Sequence, residues 1–149
     1  MRLHAIMGLG LSMWMLSVSA QAEGIRAEGA WARAMPPTAE AGGGFVTLHN
    51  DTDSAVRLVN AHNSRVDHME IHTMTMEDGV MKMRRLPDGI EIPAHGKVEL
   101  KPGGEHLMFI KPNPILSAGE TVEVELEFST GERQSIRFEV KERPPVAGH

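Results

Sequence analysis

The chain has no cysteine in its 149 residues, and that absence removes several chemistries at once. No disulfide braces the fold, no thiolate serves as nucleophile or metal ligand, and the His2Cys set of a blue-copper electron carrier cannot be assembled. Positive charge is also scarce: 15 Lys and Arg stand against 20 Asp and Glu, a formal net charge of −5, which argues against nucleic acid as a partner. Long apolar runs are missing too. The apolar run from Ala5 to Val18 falls short of the roughly 20 residues a membrane span needs. Preceded by Arg2 and followed by Ala20-Gln21-Ala22, it reads as a secretory signal peptide over residues 1–22, cleaved near Ala22 to leave an exported protein that does not span the membrane.

A sustained helical period is equally absent, as are internal repeats and any linker that would split the chain. Gly42-Gly43-Gly44 is no phosphate-binding loop, because neither a helix pattern nor Lys-Ser or Lys-Thr follows it. What remains is a succession of short alternating stretches separated by turn signals. Ile25 to Ala34 opens as a strand that contains Trp31, expected in the core, and the glycine triplet precedes a strand from Phe45 to His49. Asn50-Asp51-Thr52-Asp53 is expected to turn that strand into a hairpin with Ala55 to Val59. Val122, Val124, Leu126 and Phe128 face one way and Glu123, Glu125 and Glu127 the other, and Ile136, Phe138 and Val140 repeat the pattern. About eight or nine strands of this kind predict an all-β, Greek-key β-sandwich over residues 23–141, with a loose tail over 142–149.

The specific chemistry lies between His72 and Met108. Four of the chain's 11 methionines, Met74, Met76, Met81 and Met83, fall within ten residues. Strict alternation from Glu70 to Met76, the turn signal Asp78-Gly79 and renewed alternation from Val80 to Met83 predict a hairpin. Met76 then faces Met81, Met74 faces Met83, and His72 shares their side. Further on, Lys101-Pro102-Gly103-Gly104 opens into a strand in which His106 and Met108, two apart, point the same way. Thioether with imidazole is a soft donor set that selects Cu(I) over ions that prefer oxygen. The competing reading of the methionines is core filling, since Met adapts to irregular gaps. His49, His62, His68 and His95 read as surface histidines, His68 sharing the strand parity of His72, and His149 as a loose Cu(II) ligand at most.

His72, ten residues, Met83, then His106-x-Met108, together with Gly79-Val80-Met81-Lys82-Met83 and Leu100-Lys101-Pro102-Gly103-Gly104-x-His106-Leu107-Met108, resembles the periplasmic copper chaperones called PCuAC. Twenty-two residues separate Met83 from His106, one more than that family's spacing, and the loop-like Arg84-Arg85-Leu86-Pro87-Asp88-Gly89 is the place to absorb it. Were the hairpin to slip by two, Met81 would replace Met83. The resemblance runs from Ala30-Trp31-Ala32-Arg33 to about Val140. It implies a cupredoxin-like sandwich, a periplasmic location, a Cu(I) site of His72, Met83, His106 and Met108, and delivery to the CuA-bearing subunit of cytochrome c oxidase or another copper acceptor or donor. No enzyme activity is expected: thioethers are poor zinc ligands, and hydrolytic zinc sites want harder donors with a carboxylate base nearby. The alternatives are a copper buffer or resistance protein without a dedicated acceptor, and an adhesive sandwich whose methionine face is a docking surface.

Overall fold

Alternation of apolar and polar residues becomes ten strands in the computed structural model, which describes residues 24–143. The expected signal peptide and residues 144–149 of the expected tail lie outside the described residues. In order the strands are β1 Ile25–Arg33, β2 Ala41–Asn50, β3 Val56–His62, β4 His68–Glu77 and β5 Val80–Arg85, then β6 Ile90–Ile92, β7 Lys97–Leu100, β8 His106–Ile110, β9 Thr121–Phe128 and β10 Arg133–Lys141. Hydrogen bonding runs continuously through β5-β4-β8-β2-β1-β10-β9-β3-β6, with β7 also on β2. β1 and β10 are parallel and the other pairs antiparallel.

The open sheet folds over one core. β3 and β4, far apart in the hydrogen-bonding order, lie against each other. Val122, Val124, Leu126 and Phe128 of β9 and Ile136, Phe138 and Val140 of β10 point inward as the alternation requires, meeting Leu48, Leu58, Leu107 and Phe109. Phe109 and Phe138 meet edge to face, with centroids 6.4 Å apart. Each such fully buried side chain contributes roughly 1.5–3 kcal/mol of transfer free energy.

Two local expectations are corrected. Gly42-Gly43-Gly44 does not precede the strand but lies inside β2. A Cβ on Gly44 would stand 2.8 Å from the Phe109 ring, so the missing side chain is what lets that ring cross the strand. Nor do β2 and β3 form a hairpin: β2 pairs with β1, β7 and β8, and β3 with β6 and β9. The corner between them is built around Asn50, 1% exposed. Its Nδ2 donates to the Ser54 and Ile92 carbonyls, and its Oδ1 accepts from the Thr52 amide and hydroxyl. Turn-forming residues therefore make a crossing between layers rather than a tight reversal.

Arg84 and Arg85 complete β5, and the turn Leu86-Pro87-Asp88-Gly89 carries the chain back to the core. It is fastened at several points: Leu86 N donates to Ile71 O at 2.7 Å, Gly89 N to Leu86 O at 3.0 Å, and the Arg57 guanidinium to the carbonyls of Asp88 and Gly89. Gly89 has φ +78, and a Cβ there would lie 1.9 Å from the Leu58 carbonyl oxygen. Gly89→Ala therefore forces a backbone shift on top of the left-handed penalty and is expected to cost about 2 kcal/mol or more in urea unfolding. A loss below about 0.5 kcal/mol would show that this turn is not held as described.

Candidate metal centre

The β4–β5 hairpin has the expected register. Met76 lies opposite Met81 and Met74 opposite Met83, around Asp78 and Gly79 with φ of 51° and 78°, the pair of positive values that a type I′ turn requires. On its other side β4 pairs with β8, so that His72 stands opposite His106 and Glu70 opposite Met108. Met69 and Ile71 alternate with these residues and enter the core together with Leu107 and Phe109. His72, Met74, Met76, Met81, Met83, His106 and Met108 thus occupy the sheet face away from the main core.

The two histidines come together, with ring centroids 5.7 Å apart. His106 is 5% exposed because a small aromatic cluster on the same face covers it. Phe45 lies 6.3 Å from its ring, Trp31 stacks 4.8 Å from Phe45, and the Arg33 guanidinium sits 5.5 Å over Trp31. Trp31 is buried as expected, but in this outer cluster rather than in the main core.

Accounting for the four ring nitrogens identifies what the site offers. His106 Nδ1 lies 2.9 Å from the Gly104 carbonyl, which can only accept, so Nδ1 carries the hydrogen and Nε2 a free lone pair. His72 Nε2 lies 3.0 Å from Glu70 Oε1, so that nitrogen donates to the carboxylate and Nδ1 keeps the lone pair. Both free nitrogens, His72 Nδ1 and His106 Nε2, are buried and without a hydrogen-bond partner. Leaving such atoms unsatisfied is costly, and a pair of them on facing rings fits a metal ion that supplies the missing interaction.

Burial keeps the His106 nitrogen free of a second proton. Burial pushes the His106 imidazole below its ordinary pKa; the Gly104 carbonyl opposes the shift and the neighbouring His72 adds to it. Glu70, which holds His72, is lowered in turn by its hydrogen bonds from His72 and then His68, and Arg85 lies 3.7 Å from it. Glu70 was not singled out from the sequence, although the alternation His68-x-Glu70-x-His72 places all three side chains on one face of a strand.

The described methionines fall into three groups, of which Met74 and Met108 are half-buried. Met35 and Met69 are core residues, as the filling reading requires, whereas Met76, Met81 and Met83 are 64%, 45% and 49% exposed, which that reading does not allow. Met108 is half-buried, two residues from His106. Met83 is diagonal to His72, and Met81 lies one strand repeat farther away, about 7 Å. His49, His62, His68 and His95 each pair with a surface carboxylate. Among the described residues, no three His, Asp or Glu side chains gather as a site for a hard cation.

The family model described as "Putative lipoprotein LpqE-like" matches residues 25–140. A putative lipoprotein of Leifsonia xyli subsp. xyli is 30% identical over 122 residues, which cover 82% of this chain and 72% of that one. Among solved structures, the solution structure of Cu(I)-DR1885 from Deinococcus radiodurans superposes with a TM-score of 0.63 at 29% identity, covering 81% of this chain and 79% of that one. A copper-bound PCuAC domain from PmoF2 gives 0.68 at 21% identity, over 80% of this chain and 94% of that domain. The fold is the cupredoxin-like β fold of these PCuAC domains.

Proposed function

This chain belongs to the LpqE-like family, of the PCuAC type, and on that premise we propose that it binds Cu(I) through His72, Met83, His106 and Met108 and hands the ion to another protein. The observation that carries the reading is the pair of buried, unpartnered nitrogens on facing imidazoles, with thioethers on the same sheet face. Imidazole and thioether together suit a soft monovalent ion, and neither needs to lose a proton to bind at neutral pH. The chain supplies no thiolate, so an acceptor that does can outcompete it. Copper stays cuprous throughout, and transfer is an exchange of ligands. The acceptor we propose is the CuA-bearing subunit of cytochrome c oxidase, met in the periplasm after export.

X-ray absorption at the copper edge tests the donor set. Two sulfur and two nitrogen neighbours at one Cu(I) per chain support it, and a shell of oxygen donors would overturn it. Incubation with apo CuA subunit tests delivery: retention of copper would favour a buffer. Within the site, Met83→Ile keeps the bulk of the side chain and removes its sulfur. It is expected to weaken Cu(I) binding about tenfold or more, whereas Met81→Ile changes the first-equivalent affinity less than about twofold. Chelator competition measures both, and the reverse ranking would make Met81 the ligand.

A further inference from the structure

We propose that Met76 and Met81 form a second, weaker Cu(I) site at the exposed end of the hairpin, through which the ion enters and leaves the buried one. The inference rests on the Cu(I) reading of His72, Met83, His106 and Met108.

The argument begins with hairpin geometry. In a two-residue hairpin the residues flanking the turn, here Glu77 and Val80, form a hydrogen-bonded pair, and pair types then alternate along the ladder. Met76–Met81 and Met74–Met83 both fall at non-hydrogen-bonded positions, where Cα atoms are only about 4.5 Å apart and side chains come closest. Each pair presents two long, flexible thioether arms on one face, and the two rungs are about 7 Å apart along the strand. Two sulfurs bridged by a soft ion need a separation of roughly 4.6 Å, taking the ~2.3 Å zinc–sulfur bond as a scale, which directly opposite methionines can reach.

Exposure separates this pair from core methionine. Met76 is 64% and Met81 45% exposed, and β5 is an edge strand whose six residues are all exposed. The polar residues near the pair do not compete for a soft ion: Glu77 is held by Arg84 and Lys82, and Thr75 lies on the opposite face. Lacking an imidazole, the pair binds more weakly than the inner site. An ion can therefore land on Met76 and Met81, pass to Met74 and Met83, and settle between His72 and His106, remaining Cu(I) at each step as one neutral thioether replaces another. The reverse order presents it to an acceptor at the hairpin tip.

The test is an anaerobic Cu(I) titration of purified protein carrying 13C-methyl methionine, followed by NMR. The first equivalent should shift the Met83 and Met108 methyls, and further Cu(I) those of Met76 and Met81. Met76→Ile/Met81→Ile should abolish the later phase, leave the first-equivalent affinity within about twofold, and slow copper transfer to an apo dithiol acceptor several-fold. If Met83 and Met108 respond while Met76 and Met81 stay unmoved through several equivalents, the second site is overturned and the inner one stands. If Met83 and Met108 do not respond to the first equivalent, the copper reading itself fails. A transfer rate unchanged in the double variant would overturn the route through the tip.

Discussion

His106→Leu is expected to lower Cu(I) affinity by more than about a hundredfold, about 2.7 kcal/mol, while leaving the apo protein folded. Removing groups that merely orient a ligand typically costs 10–100-fold, so losing the donor atom itself should exceed that range. The expected stability of the variant follows from the same geometry. His106 is 5% exposed with Nε2 unpartnered, and leucine fills a similar space against Phe45 without a buried polar atom to satisfy. The one bond lost is from Nδ1 to the Gly104 carbonyl, in a half-buried turn where water can replace it. Apo stability in urea should therefore stay within about 1 kcal/mol of the parent. His95→Leu, outside the β4–β8 face and paired with Asp53 at the surface, should leave the copper affinity unchanged. Normal copper affinity together with a large loss of stability would make His106 a structural histidine and leave the site to methionine alone.

Strict alternation around Asp78-Gly79, a pair suited to positive φ, specifies the hairpin register, so the pairing of Met74 with Met83 and of Met76 with Met81 is legible in the sequence. The outward-pointing glutamates of β9 were legible for the same reason. The meeting of His72 with His106 was not, because it depends on β8 lying beside β4, and nothing local in either strand encodes its neighbour. The presumed β2–β3 hairpin failed similarly. Asn50 and Thr52 read as turn residues, and only the carbonyl of Ile92, 42 residues away, shows that they build a crossing. A lone carboxylate in a strand ordinarily faces solvent, so Glu70 carries no signal of its own in the sequence. Here it is the acceptor that determines which nitrogen of His72 stays free.

Acid should release the metal, with a profile that reports His106. A ligating imidazole must be neutral and a thioether takes no proton, so Cu(I) affinity should hold from about pH 8 to neutrality and fall as protons compete for the two rings. The fall steepens toward a limit of two protons per ion, up to about a hundredfold per pH unit. Because burial, reinforced by His72, holds His106 below the ordinary imidazole range, its share of the fall enters at lower pH than a free imidazole would give. Glu70, already pulled down by His72 and His68, remains ionised and adds nothing to the slope near neutrality. The same shift governs apo stability. As pH drops through about 6.5 the unfolded chain protonates this histidine while the folded chain does not, so stability declines until the depressed folded pKa is reached and then levels off. Bound Cu(I) opposes unfolding less and less over that interval as its affinity falls. His106→Met should reduce the limiting slope to one proton and remove the apo decline due to His106, while a sulfur donor remains in place. Chelator competition and urea unfolding from about pH 5 to 8 measure both effects. A flat wild-type affinity curve would remove both imidazoles from the coordination shell.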